Sequence, residues 1–556
     1  MAFSELLQHM GNFGRYQIML VFSTSSLTVL LVTHNLVENF SGAIPAHRCY
    51  VHLLDNITSE SKHPENLTTE ALLRISIPMG VNNELEQCRR FRQTQWQLLN
   101  SSDLATNTTE LETEACLDGW IYDQSIFTST IVTQWNLVCK SKSLKLWSQS
   151  IFMAGYMLGS LLGGYISDKF GRKTVLLASS LLAALLGTGS IFAPTFPIYC
   201  IIRFHLAMST GTIFTNTLVL LIEWLPSNVT PMIITIRSLV LSTGQIVLPG
   251  LAYVFRDWRM LQLSISVPYF VFFLSLWWTS ESVRWLIVSG KLEKALKVMK
   301  KVAHTNGKKD VEETLNIEVL QSAMREELTF LKQGSKKIKV MASPIMCKTL
   351  FLLFFMRFSA IFFVYGVLTD LKNLGSNMFL SQALLGAVDF PSKCLSFLIM
   401  KFLKRRPSIA SALFLGGFCI LINIFVPKDM PYIRLGLTML GKGSMAIYFS
   451  MNMIYSHELI PTGLRSRAEG GIIFMTGLAS SLSSLAFITR QYFEHLPTIL
   501  HGTFPIVAAI CVYFLPETLN LPLPDTIQDL ERRHKNYKKT STNGEESNDL
   551  QGTTEC

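Results

Sequence analysis

A chain of 556 residues, 49% hydrophobic and only 16% charged, with a mean hydropathy of +0.33, is too apolar for a soluble multi-domain protein. Its formal charge of +10 does not mark a nucleic-acid surface, because no basic stretch is interleaved with aromatic residues. Apolar runs of about 20 residues match a hydrocarbon core roughly 30 Å thick, and in lipid such runs must be helical. The expected class is an all-α membrane protein with twelve transmembrane helices in two six-helix halves.

In chain order, the apolar runs predict helices over 17–37, 146–166, 174–194, 198–221, 233–254 and 260–279, and then 349–368, 379–401, 408–427, 432–454, 468–488 and 498–516. The implied units are an N-terminal tail (1–16), a first half (17–279) containing a large loop (40–145), a central loop (280–348), a second half (349–516) and a C-terminal tail (517–556). An even number of crossings puts both tails on one side. The hairpins carrying Lys169, Arg172, Lys173, Lys404, Arg405 and Arg406 make that side cytoplasmic. The central loop agrees, with fourteen Lys/Arg against eight acids over Glu281–Lys348. The first apolar run lacks a cleavage site, so no cleaved signal peptide is expected.

The loop at 40–145 then faces outside. It holds Cys49, Cys88, Cys116 and Cys139, which are compatible with two disulfides and leave three pairings open. Glycan acceptors are expected at Asn39, Asn56, Asn66, Asn100 and Asn107, while Asn228 falls in a cytoplasmic hairpin. Glycines at 155, 159 and 163 form a small-residue stripe that packs or slides against another helix.

Charge within a bilayer is costly, so buried ionisable residues are candidates for function. Lys393 lies deep in the eighth run, one turn after Asp389, and either pairs with it or faces an anion. Arg357 in the seventh run either snorkels to the interface or forms a second cationic contact. Lys442 reads as a structural cation, and Tyr253, Tyr365, Phe449 and Tyr455 as packing or an aromatic cage. No nucleotide loop, zinc-protease helix, nucleophile elbow or Cys-x-x-Cys occurs, so neither an enzyme nor an ATP-driven pump is expected, and no cofactor or metal.

The string GGYISDKFGRK at Gly163–Lys173 resembles the signature hairpin of the major facilitator superfamily. The strings THNLVENFSGAIPAHRC, DGWIYDQS, TQWNLVC, GLAYVFRDWRMLQL, ESVRWLI, ELIPTGLRSR and LPETLNLPLPDTIQDLE are similar to its organic cation/anion/zwitterion branch. MAFSELL and GAVDFPSK look most like the organic anion transporters, above all the divergent group handling steroid conjugates and prostaglandins. The resemblance implies a sodium-independent, secondary-active or facilitative plasma-membrane carrier of amphipathic organic anions, possible also as an exchanger with a counter-anion and at home in a basolateral epithelial membrane. It places Lys393, Asn35, Tyr253, Tyr365 and Phe449 around a central cavity, with Arg357 as a second cation. It assigns Asp168, Arg172, Glu223, Glu281, Arg284, Glu458, Arg465 and Glu517 to cytoplasmic gating. One position departs: Gly477 stands where the anion carriers have arginine and the cation carriers aspartate. The alternatives are a cation or zwitterion carrier of the same fold and a non-transporting receptor.

Overall fold

The computed structural model describes residues 13–55, 68–80, 84–99, 111–226, 229–308, 315–318, 320, 322, 343–371, 377–427, 429–460 and 465–519, without the side chains of 231 and 465–467. Helices form where the apolar runs predict them: α1 (Arg15–Leu36), α2 (Lys142–Phe170), α3 (Arg172–Gly189), α4 (Phe196–Trp224), α5 (Thr230–Val254) and α6 (Trp258–Leu276). The second set comprises α7 (Pro344–Thr369), α8 (Met378–Phe402), α9 (Arg405–Ile422), α10 (Pro431–Leu459), α11 (Arg465–Ala486) and α12 (Leu496–Val512). Among the described residues, ten helices are long and apolar enough to cross a membrane. α10 carries Arg434 and Lys442 and is not one of them, and α12 is a shorter apolar helix. Several helices outrun their apolar stretches, because backbone hydrogen bonding continues after the side chains turn polar; α2 starts at Lys142 and α10 ends at Leu459.

Proline shapes α8. Pro391 has no N–H for the carbonyl of Ala387 and its ring crowds that turn, and the helix is interrupted at Val388. The break falls one residue before Asp389, which redirects the side chains that follow.

The glycine stripe on α2 is packing. A Cβ on Gly155 or Gly159 would run into the backbone of Phe204 or Met208, and one on Gly163 into Thr212, all three on α4. The two backbones therefore approach within one half, where van der Waals contact replaces the hydrophobic drive missing in lipid. The first half has its own core, in which Leu27, Leu206 and Tyr269 lie fully buried. The helix Leu292–Thr305 adds Ala295 and Met299 to that core. Asn306 fixes this addition, accepting from the Tyr16 N–H at 3.0 Å and donating to Gln17 at 3.0 Å. The second core gathers around Met356, Phe363, Leu413 and Tyr448.

Between α1 and α2 lie two short antiparallel pairs, His47–Cys49 with Trp120–Tyr122 and Arg89–Phe91 with Thr113–Ala115. Disulfides Cys49–Cys116 and Cys88–Cys139 close them, at Cα separations of 5.1 and 5.7 Å. Arg90 holds Glu114 at 2.8 Å and Asp118 at 2.6 Å. That hydrogen bond from Arg90 keeps the Asp118 carboxyl below its ordinary pKa. Its stabilisation is complete above the ordinary value and is lost as pH falls through the lowered one. Asn56, Asn66, Asn100, Asn107 and Asn228 lie outside the described residues. Asn39 is half-buried, and its amide nitrogen donates to Gln382 Oε1 of α8 at 3.5 Å.

The halves meet along two seams, α2 against α11 and α5 against α8. Ser150 donates to the Ser481 carbonyl across the first at 3.0 Å, and Asn39–Gln382 and Gly386 against Gln245 lie on the side of the second. Phe379 of α8 packs on Phe40, Phe127 and Tyr253 at 5.5, 5.5 and 5.8 Å. These contacts cluster at the end bearing the α1–α2 segment, here called the loop end. The opposite end, bearing the α2–α3 and α8–α9 hairpins, is the hairpin end.

Candidate functional site

Lys442, Lys393 and Arg357 are cations of the second half that lie deep in its helices, and their partners differ. Lys442 of α10 is buried and paired with Asp389 at 2.6 Å, while also donating to the Leu385 carbonyl. The interrupted α8 turns Asp389 to α10, so the i,i+4 pairing of Asp389 with Lys393 does not form as an ion pair. Lys442 is the structural cation that the sequence suggests, with a carboxylate as well as a carbonyl for partner.

Lys393 instead reaches α5, donating to the Ser238 carbonyl at 2.5 Å and to Ser242 Oγ at 2.8 Å. Ser242 Oγ in turn donates a hydrogen bond to Asp389 Oδ2 at 3.0 Å. Among the described residues, no carboxylate lies within ion-pair distance of Lys393.

Arg357 does not snorkel. Its Nε donates to Thr476 Oγ1 of α11 at 3.1 Å, and its guanidinium lies 4.9 Å from the centre of the Phe449 ring. That geometry is a cation–π contact, stronger away from water. Nη1 and Nη2 take no partner among the described residues, yet they are absent from the buried unpartnered atoms and so keep access to open space. Tyr365 is half-buried beside Phe152 and Met153 of α2, between the halves. Asn35 is half-buried, and its carbonyl accepts from Gln149 of α2 at 3.3 Å.

Two aromatic expectations change. Tyr253 is 59% exposed at the loop end, edge-on to Phe379, and does not share the surroundings of Arg357 and Phe449. Tyr455 is buried and donates to the Pro516 carbonyl at 2.7 Å, which makes it a tie between α10 and the chain after α12.

Gly477 explains its own lack of charge. Any Cβ there would enter Met157 of α2, so at this crossing α11 has room for hydrogen alone.

At the hairpin end the two halves repeat one design. Glu281 accepts the N–H groups of Arg172 and Lys173 at 2.9 and 3.0 Å, and Glu517 those of Arg405 and Arg406 at 3.0 and 3.1 Å. Each carboxylate caps a helix N-terminus, where unpaired donors and the helix dipole favour negative charge. Arg172 pairs with Asp168 at 2.8 Å and Glu223 at 3.2 Å, and Arg405 with Glu458 at 3.8 Å. All these bonds stay within one half. Arg284 is half-buried on Val283–Val288, and the Arg465 side chain lies outside the described ones.

The sequence reading passed over a buried pair in the first half. Glu38 meets Arg203 of α4 at 3.2 Å and accepts from Ser148 and Tyr199 at 3.0 and 3.3 Å, with Arg203 4.1 Å over Phe152. Arg237 of α5 is likewise buried and donates to Thr217 at 3.1 Å. A lone arginine inside an apolar run, the signal used for Lys393, marks both.

Residues 85–529 match the family described as "Sugar (and other) transporter". The chain is 44% identical to "Solute carrier family 22 member 22" of Mus musculus over 556 residues, 100% of both chains. It is 46% identical to "Solute carrier family 22 member 10" of Homo sapiens, covering 97% of this chain and 100% of the relative. The chain belongs to solute carrier family 22. The "Steroid transmembrane transporter SLC22A24" of Homo sapiens is a further family 22 relative at 42%, covering 97% of this chain and 98% of that one. The fold is shared with "Inward open conformation of the xylose transporter XylE from E. coli", at a TM-score of 0.58 and 16% identity over 92% of this chain and 99% of that one. As a family 22 member with the major facilitator fold, the chain is a membrane transporter of organic ions and not an enzyme.

Proposed function

We propose that the chain carries amphipathic organic anions across the plasma membrane by alternating access. The observation that carries this reading is the pair Arg357 and Lys393, two cations inside the helical bundle that have no carboxylate within ion-pair distance among the described residues. Burying an unpaired cation is costly, so such a site favours a ligand that supplies the negative charge. Phe449 and Tyr365 add ring surface, which rewards a large apolar body without demanding one shape. Steroid sulfates and prostaglandins have this build, and the relative named as a steroid transporter supports the first. The cation-carrier alternative is weakened because Asp389, the deep acid it needs, is already held by Lys442.

In this reading α1–α12 make twelve crossings and both tails are cytoplasmic. The loop end faces outside with its disulfides and with glycans at Asn56, Asn66, Asn100 and Asn107, and the conformation is closed to the outside. The hairpin-end groups Asp168, Arg172, Glu223, Arg284, Glu458 and Arg465 re-pair when that end closes, while Glu281 and Glu517 hold their helices. A counter-anion entering from the cytoplasm would use the same cations, giving exchange.

The test is uptake of a labelled steroid sulfate, a prostaglandin and an organic cation into cells expressing wild type or Lys393→Ala. Anion accumulation is expected, falling about tenfold in the variant at equal surface amount, about 1.4 kcal/mol of lost interaction. Cation accumulation without anion accumulation, or binding without flux, would defeat the proposal.

A further inference from the structure

We infer that Thr476 is a positioning residue for anion recognition, and that it makes Arg357 present its two terminal nitrogens end-on to the ligand. This inference rests on the reading of Arg357 as an anion contact.

The Thr476 hydroxyl donates to the Ile472 carbonyl one turn back in α11, at 2.9 Å. A hydroxyl has one proton and two lone pairs, so this one can only accept from anything else. It accepts from Arg357 Nε at 3.1 Å. Guanidinium grips a carboxylate or sulfate two-pronged in two ways, through Nε with one terminal nitrogen or through both terminal nitrogens. Thr476 occupies Nε and so removes the first. Phe449 against the guanidinium at 4.9 Å restrains its tilt. What remains is the Nη1/Nη2 fork, which has no partner among the described residues and is open to space.

The backbone behind Thr476 is fixed as well. The next residue, Gly477, lies against Met157 of α2, and Gly471 against the Phe354 ring of α7. α11 therefore approaches both neighbours without side chains of its own at these points, which brings Thr476 within reach of Arg357. Arg357 and Thr476 belong to the same half, so rocking of the halves leaves their bond in place. The fork thus keeps its aim whichever face of the membrane the site opens to.

The experiment measures KM and maximal uptake per surface transporter for a labelled steroid sulfate in Thr476→Val, Thr476→Ser, Arg357→Gln and Arg357→Lys. Valine has the shape of threonine without the acceptor, so Thr476→Val should raise KM about three- to tenfold at unchanged maximal rate, with serine restoring wild-type KM. Arg357→Gln should lose uptake at least tenfold, and Arg357→Lys should stay impaired because an ammonium offers no fork. A wild-type KM in Thr476→Val beside a failed Arg357→Gln overturns the positioning role alone. So does a fall in surface amount or maximal rate with unchanged KM, which marks a packing role. Wild-type uptake in Arg357→Gln overturns the underlying reading of the site.

Discussion

Arg357 and Lys393 are both cations on the helices of the second half, but their partners lie on opposite sides of the rocking interface. Arg357 is held by Thr476 and Phe449 of its own half. Lys393 is held by Ser238 and Ser242 of the other. Alternating access by rigid halves preserves the first set and must break or remake the second. Under the proposed mechanism, one cation is a fixed reader of charge and the other a reader whose availability depends on the state. With the loop end closed, two oxygens of α5 hold Lys393, and under the proposed function they compete with the anion for it. Reopening that end removes the competitor.

The largest effect that breaks this contrast is on the support beneath Lys393. Asp389→Leu leaves Lys442 charged, buried and unpaired, which costs about 3–5 kcal/mol. The expected outcome is near-complete loss of folded protein at the surface, read by surface labelling. Asp389→Leu with Lys442→Met removes both charges and should recover most of it. If the single variant reaches the surface like wild type, Asp389 and Lys442 do not support the site.

The next largest effect concerns the place where a cation cannot stand. Gly477→Arg drives a long side chain into Met157, an overpacking cost of about 1–3 kcal/mol. Purified protein should show a lowered unfolding temperature, and Met157→Gly in the same chain should raise it again. Unchanged stability of Gly477→Arg alone would mean that the α2–α11 crossing yields easily.

How much of this was legible in the residues follows from the range of each interaction. The helices were, because apolar length is a local property, and so was the repeated hairpin design, whose arginines recur in sequence as Arg172 and Arg405. Lys393 and Arg357 stood out as charges in apolar runs. Their partners did not, since Ser242 is 151 residues from Lys393 and Thr476 is 119 from Arg357, and neither residue type signals a site. The i,i+4 rule pointed Asp389 at Lys393, and the interruption beside Pro391 turned it to Lys442 instead. The Gly477 vacancy was visible as a missing charge, but its steric cause needed Met157 from another helix. Tyr253 differs because its cavity placement came from the family resemblance, whereas it stands one residue from the end of α5.

The smallest effect is the most direct probe of the state-dependent reader. Ser242→Ala removes the hydroxyl that accepts from Lys393 and donates to Asp389, while the Ser238 carbonyl remains. Two hydrogen bonds between the halves are lost; at the low end of the usual net range they are together worth about 1 kcal/mol, or roughly a fivefold shift away from the loop-end-closed state. Gln382 reports that shift, since it is fully buried at the closed end against Asn39. A cysteine placed there by Gln382→Cys should react with a membrane-impermeant thiol reagent from outside about fivefold faster in Ser242→Ala, after subtraction of the same chain without the added cysteine. An excess of transported anion should speed the reaction more in wild type than in Ser242→Ala, because only wild type still has the Ser242 contact for the anion to displace. Equal rates in both backgrounds would mean that Lys393 is no more tied to the state of the transporter than Arg357, and the contrast between the two cations would collapse.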